Sequence, residues 1–286
     1  MGNLYIVGTP IGNLNDITLR ALEILKNVSI IACEDTRQTL KLLNHFEIKN
    51  KLIAYHKFNE KEKSSYLIKE LLNGKDIALV TDAGTPCVSD PGYYLVKEAR
   101  ESKINVFAIP GASASVSALS ISGLDSNQFT FIGFLPIENK KYKEDITKIK
   151  ESKIHTFILY ESPKRLVETI EKLSKEFQNS NIYIASDMTK IHERGFYGKI
   201  ENVLETIKKD DKIEKGEYVI ILQKEPEKNT IDEEETKTLE SLLVDYMIKN
   251  NCNLKEAVNK IGIKNNNIRK NDLYQASLRL KNMFEK

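Results

Sequence analysis

The chain has little of what several protein classes need. Among its 286 residues there is no tryptophan, and there are three cysteines, four histidines and seven prolines. Cys33, Cys87 and Cys252 are odd in number and far apart, so they build neither a disulfide framework nor a paired-cysteine metal motif. His45, His56, His155 and His192 lack metal-ligand spacing, and no metal is expected. Few glycines and prolines beside 41% hydrophobic residues argue against a disordered chain. No apolar run approaches the roughly 20 residues that span a bilayer. A charge excess is also missing. The 43 basic and 41 acidic residues leave +2, so any nucleic-acid surface must be local. The start, MGNLYIVG, leads directly into a strand and reads as no signal peptide, so a cytoplasmic protein is expected.

What the chain does have is alternation. Apolar runs at Leu4–Val7, Ser29–Ala32, Leu52–Ala54, Ile77–Val80 and Val106–Ile109 read as strands. Helical patterns separate most of them. Asp16 is expected to cap a helix with Ile17, Ala21, Leu22, Leu25 and Val28 on one face, and a helix is expected over Gln38–Phe46. Asn59 and Glu62 resemble a capping box, Pro91 suits a first helical turn, and a further helix is expected near Val116–Ser122. This order predicts an α/β fold: a mostly parallel sheet over residues 1–115 with helices on both faces. Residues 116–224 read as a second, mixed α+β domain. Its strands are Phe129–Phe134, Thr156–Tyr160, Ile182–Ala185, Gly195–Tyr197 and Tyr218–Leu222, and its helices are Tyr142–Lys150 and Arg165–Phe177. The acidic stretch 225–236 reads as a linker. Residues 237–286 read as a small C-terminal helical module whose later part carries Lys260, Lys264, Arg269, Lys270, Arg279 and Lys281. Such a module suits nucleic acid, and an ordinary lysine-coated bundle would look the same.

The most informative stretch is Thr81–Gly92, TDAGTPCVSDPG, which follows the fourth strand. Open α/β sheets bind ligands at the carboxyl ends of their strands. Asp82 and Asp90 among glycines are costly to hold there unless a cation or hydrogen-bond donors meet them, although Asp90 could also simply cap the next helix. Other polar strand ends could share the rim: Glu34-Asp35-Thr36-Arg37, Pro110–Ala114 and Tyr160–Arg165. Gly8–Asn13 is neither GxGxxG nor a P-loop. Cys87 has no base beside it in sequence and reads as packing. His56 reads more readily as a hydrogen-bonded structural residue than as a base.

The motifs LYIVGTPIGNL (4–14), ACEDTR (32–37), DAGTPCVSDPG (82–92), PGASA (110–114), GFLP (133–136), YESPKR (160–165) and KGE (215–217) together resemble the tetrapyrrole methylase superfamily. Within it they are most similar to the ribosomal RNA small subunit methyltransferase I family. The helical tail matches in character, with LKEA (254–257) and DLYQASL (272–278). The resemblance implies S-adenosylmethionine as cofactor and 2′-O-ribose methylation of a cytidine in the decoding region of 16S rRNA within the 30S subunit. It also implies two α/β domains with the cofactor between them, and a homodimer. Carried over by position, cofactor contacts would be Pro10, Asp82, Gly84, Val88, Asp90, Ser113, Ala114, Tyr160, Ala185, Met188, Gly216 and Glu217. For catalysis the candidates are Glu34, Asp35 and Arg37, with Arg37 near a substrate phosphate. The basic tail and the lysines of 140–153 would hold RNA. The sequence departs from the family at Gly8 and Ala112, where proline is frequent, at Ser186-Asp187, where an Arg-Glu pair is common, and at Lys164, where histidine is frequent. The competing readings are a tetrapyrrole C-methyltransferase on the same fold and a non-catalytic RNA-binding factor.

Overall fold

The computed structural model describes residues 1–225, 238–264 and 268–284. The expected linker therefore lies outside the described residues, apart from Glu225. The chain divides into two compact units, Met1–Glu225 and Pro226–Lys286.

The first unit contains two five-stranded sheets. In the first sheet, β1 (Leu4–Val7), β2 (Ile30–Cys33), β3 (Leu52–Ala54), β4 (Ile77–Val80) and β5 (Val106–Ile109) are all parallel, in the order β3-β2-β4-β1-β5. Its helices are α1 (Leu19–Asn27), α2 (Thr36–His45), α3 (Glu60–Leu72) and α4 (Tyr93–Glu101). A parallel sheet must bury both faces, and the period-2 alternation of β4 achieves this. Ile77 and Leu79 pack with Leu67, Leu71 and Leu95 of α3 and α4, while Ala78 and Val80 pack with Ala21, Leu25 and Leu43 of α1 and α2.

Helix α5 (Ala114–Ile121) spans the expected boundary and leads to the second sheet. Its strands are β6 (Phe129–Phe134), β7 (Thr156–Glu161), β8 (Asn181–Ser186), β9 (Arg194–Lys199) and β10 (Tyr218–Gln223), in the order β6-β7-β10-β8-β9. Only β6 and β7 pair in parallel. Helices α6 (Asn139–Glu151), α7 (Leu166–Glu176) and α8 (Ile200–Lys208) cover one face through Ile149, Ile170, Leu173 and Ile207 against Phe157, Ile184 and Ile220. On the other face, Ala118 and Leu119 of α5 pack with Ile11, Ile158, Ala185, Met188 and Val219.

The mixed α/β class holds, with local differences. The first helix is capped by Thr18, whose hydroxyl accepts from Ala21 N at 3.1 Å, rather than by Asp16, which closes a preceding 3-10 turn. Asn59 forms no capping box. Its Oδ1 accepts from His56 N at 2.8 Å and its amide donates to Ala54 O at 3.2 Å, so it braces the loop after β3. Helix α8 has no counterpart among the expected elements. It follows β9 directly, with Gly198 still inside the strand, and is recognisable by Ile200, Val203 and Ile207 on one face.

In the second unit, α9 (Leu239–Asn250), α10 (Leu254–Lys264) and α11 (Lys270–Phe284) surround Leu243, Ala257, Ile261, Leu273, Ala276 and Leu280. Thr238 caps α9 through Ser241 N at 3.3 Å. Lys260, Arg269, Lys270 and Lys281 are exposed, and Arg279 pairs with Glu240. No described helix is long and apolar enough to cross a membrane.

An acidic cavity at the strand ends

The loop after β4 is fixed by the end of β1. Thr9 N donates to Gly84 O at 2.9 Å, Gly84 N donates to Thr9 O at 3.1 Å, and the Thr9 hydroxyl donates to Thr81 O at 3.1 Å. Gly84 (φ 83°) takes a left-handed turn that suits glycine. Cys87 (φ 70°) and Ser89 (φ 66°) take the same region without that freedom, and such local strain concentrates at ligand sites. Burial pushes the Cys87 thiol up to about 11, which keeps it protonated at neutral pH and agrees with a packing role.

This loop forms one side of a cavity of about 380 Å³. Glu34, Asp82, Asp90, Glu161 and Glu217 line it, and its lining contains no lysine, arginine or histidine. Two of these carboxylates have local partners. Glu161, almost fully buried, accepts from Ser162 N and the Thr169 hydroxyl, both at 2.7 Å, and lies 3.3 Å from Arg165. Glu217 is 3.0 Å from Lys190 Nζ. Glu34, Asp82 and Asp90 have only neutral donors in contact: Thr81 Oγ1 donates to Glu34 Oε2 at 2.9 Å and Asp35 N donates to Asp82 Oδ1 at 3.1 Å. Burial first, and then the charge of Glu34, push Asp90 up to about 6. Burial likewise raises Asp82, with Glu34 and Asp35 adding to it against the pull of the Asp35 amide. Three crowded carboxylates in a low-dielectric recess favour a cationic ligand and disfavour a phosphate.

The opposite wall is apolar. Tyr160 meets Phe131 and Phe134 edge-on, with ring centroids 5.1 and 5.7 Å apart, and Tyr160 and Phe134 both face the cavity beside Ile11, Val88 and Val219. At the start of α5, the Ser113 hydroxyl meets the Ser115 hydroxyl at 3.2 Å but caps no amide of the first turn, which leaves amide donors there for an anionic ligand group.

Of the residues expected at the cofactor, Asp82, Gly84, Val88, Asp90, Ser113, Ala114, Tyr160, Gly216 and Glu217 come together around this cavity. Pro10 lines an adjoining cavity. Ala185 and Met188 sit behind the wall, packed with Ile11 and Val219. Within the cluster 34–37, Glu34 alone lines the cavity. Asp35 caps α2, accepting from Arg37 N at 2.8 Å, and its carboxylate lies 2.7 Å from the exposed Arg37 guanidinium. Those bonds from Arg37 hold Asp35 down at about 2. His56 lines neither cavity, and its buried Nδ1 has no hydrogen-bond partner among the described residues. Ile11, Phe134 and Val219 were not singled out beforehand. Val219 had a usable signal, since alternation along β10 puts it on the face opposite Ile220. Among the lysines of 140–153, Lys141, Lys148 and Lys150 pair with Glu138, Asp145 and Glu176, so that stretch is less cationic than its composition suggests.

The chain matches the family model of tetrapyrrole (corrin/porphyrin) methylases over residues 3–204. It is 43% identical over 284 residues to a protein of Buchnera aphidicola subsp. Schizaphis graminum (strain Sg) named "Ribosomal RNA small subunit methyltransferase I", covering 98% of this chain and 97% of that one. A protein of the same name from Haemophilus influenzae is 41% identical over 278 residues, covering 97% and 96%. Among solved structures, uroporphyrin-III C-methyl transferase from Thermus thermophilus complexed with S-adenyl homocysteine superimposes with a TM-score of 0.55 at 16% identity, over 78% of this chain and 97% of that one. Diphthine synthase gives 0.59 at 16% identity, over 78% and 90%. At such identities the structural likeness speaks for the fold.

Proposed function

We propose a function from one premise: the chain belongs to the tetrapyrrole (corrin/porphyrin) methylase family and, within it, to the ribosomal RNA small subunit methyltransferase I group. It is an S-adenosylmethionine-dependent methyltransferase, and its substrate is the RNA of the small ribosomal subunit. The finer reading is 2′-O-methylation of a cytidine ribose in the decoding region, by a homodimer in the cytoplasm. The observation that carries the reading is the cavity itself, with its Glu34-Asp82-Asp90 cluster and no cationic side chain in its lining.

The residues present fit that cofactor. When bound, S-adenosylmethionine supplies a methyl group on a sulfonium cation, together with an amino-acid head, a ribose and an adenine. The acid cluster suits the positive charges, the first turn of α5 suits the carboxylate of the head, and Tyr160, Phe134, Ile11 and Val219 offer flat apolar wall. That wall also limits water around the reacting centre. Alignment of acceptor and donor is the main task, since positioning alone can supply roughly 7–11 kcal/mol in ideal cases. Glu34 is the carboxylate assigned to the acceptor hydroxyl, because it alone of 34–37 faces the cavity and its Oε2 is held by Thr81. The exposed lysines and arginines of the second unit hold RNA phosphates, a role that makes binding salt-dependent.

The test is methyl transfer from labelled S-adenosylmethionine to purified 30S subunits or to a uroporphyrinogen. Label in 16S RNA, resistant to alkaline cleavage at one cytidine, is expected. Label in the tetrapyrrole alone would select the competing C-methyltransferase, and calorimetric absence of cofactor binding would select the non-catalytic binder.

A further inference from the structure

The acidic cavity has a neighbour that, unlike it, carries lysines: Lys41 and Lys190 line it together with Asp82 and Glu217. A second cavity of about 460 Å³ adjoins it, bounded by the loop after β1, the first turns of α2 and Lys190. Ile11, Thr81, Asp82, Ala83 and Glu217 line both cavities, so the two share a rim over which groups seated in them can meet. The acidic cavity offers a phosphate no cationic side chain. The second presents Lys41 and Lys190, with Gln38, Thr9 and Thr39 also in its lining.

Both lysines are placed for a ligand. Lys41 is exposed on α2, with Nζ 3.2 Å from Gln38 Oε1. Lys190 Nζ lies 3.0 Å from both Asp187 and Glu217. Burial works against its charge, but these carboxylates outweigh burial and raise its pKa, so it is an ammonium at neutral pH. Its backbone is held as well. Asn13 N donates to Thr189 Oγ1 at 3.0 Å, and a Cβ on Gly12 would stand 2.7 Å from that oxygen and 2.8 Å from Lys190 Cγ. Only glycine allows the loops after β1 and β8 to close this tightly. Lys190 also faces a third cavity of about 670 Å³, with His45 and His192. Gly12 and Leu14 are common to the second and third, so the recesses form one trough leading away from the acids.

We propose that the second cavity seats the target nucleotide, with its phosphate between Lys41 and Lys190 and its ribose crossing the shared rim Thr81–Ala83 so that the 2′-hydroxyl enters the first cavity beside Glu34, and that the flanking nucleotide continues into the third cavity. The inference rests on the ribosomal RNA reading above and adds where the acceptor lies. It divides the site by charge: the cation-holding recess takes the donor, and the lysine-bearing recess takes the polyanion.

The experiment uses the full-length chain with purified 30S subunits and compares wild type with Lys41→Glu, Lys190→Gln and Lys190→Arg. Three quantities are read: KM for 30S, its salt dependence, and affinity for S-adenosylhomocysteine. Lys41→Glu is expected to raise KM about tenfold or more and to reduce the salt slope by roughly one phosphate contact, with cofactor affinity within about twofold of wild type. Lys190→Gln should shift KM in the same direction and Lys190→Arg should restore it. Unchanged KM in both Lys41→Glu and Lys190→Gln, while the wild type methylates 30S, overturns the inference alone. So does a Lys41→Glu variant that loses cofactor affinity as steeply as it gains KM. A wild type that leaves 30S RNA unmethylated overturns the functional reading and this inference with it.

Discussion

The two five-stranded sheets of the first unit serve one cavity in different ways. The first is wholly parallel, so the loops after β1, β2, β4 and β5 all leave from the same edge. They bring Ile11, Glu34, Asp82, Asp90 and Ser113 together from across the first 113 residues. The second sheet is mixed. Because β10 runs antiparallel to β7, the edge that carries the end of β7 also carries the start of β10, which puts Tyr160 opposite Val219. That sheet contributes aromatic and aliphatic wall. Topology therefore concentrates the carboxylates without a cationic partner, Glu34, Asp82 and Asp90, on the first sheet's side, while the second sheet's Glu161 and Glu217 are met by Arg165 and Lys190 beside its aromatic wall. Crowded, partly desolvated charge is best met by a counter-charge, which here would be the ligand, whereas apolar wall is satisfied by contact alone.

That contrast can be broken by substitution. The largest effect is expected from Asp82→Asn combined with Asp90→Asn. Donor affinity measured by calorimetry should fall about a hundredfold or more, in line with the roughly 2–5 kcal/mol lost when one partner of a buried charged contact is removed. The thermal midpoint should hold or rise, because the crowded carboxylates no longer repel one another. A fall in both would mean that the acids are structural. Next comes Arg269→Glu with Lys270→Glu in the helical unit, where 30S affinity should drop about tenfold at physiological salt while donor affinity stays constant. Loss of donor affinity there would mean that the helical unit contributes to the cavity. Tyr160→Ala should weaken donor binding by only about threefold to tenfold, since it removes contact area rather than charge. Smallest is Arg37→Ala: its guanidinium is exposed and paired with Asp35, so donor affinity should not change, and any effect should fall on KM for RNA.

The two sheets were also unequally legible in the sequence. In the parallel half, continuous apolar runs such as Ile77–Val80 end in glycine- and acid-rich loops, and period, composition and punctuation agree. In the second half, β9 carries alternating exposure in RGFYGK and α8 follows it directly, so the one glycine there, Gly198, reads as part of the strand rather than as a break. The acids of the cavity were legible because carboxylates among glycines at a strand end need a reason. Ile11 and Phe134 were not, because an apolar residue facing a ligand looks in sequence like one facing a core. The second cavity escaped for a different cause: Lys41 and Lys190 are 149 positions apart, and only the fold brings them to one trough.

The central claim is that the first sheet's strand ends hold a cation. Asp90, at about 6 in the ligand-free fold against an ordinary value near 3.8, destabilises the free protein as pH rises from about 4 to 6. A sulfonium nearby favours the ionised form, so binding should be full at pH 8 and should weaken as pH falls through 6. The direct measurement is calorimetric titration with S-adenosylmethionine and with S-adenosylhomocysteine, which lacks the sulfonium charge, at pH 8 and pH 5. S-adenosylmethionine should bind about tenfold more weakly at pH 5, S-adenosylhomocysteine should change much less, and Asp90→Asn should remove the difference. Equal pH dependence for both ligands, or a difference that survives in Asp90→Asn, would contradict the claim.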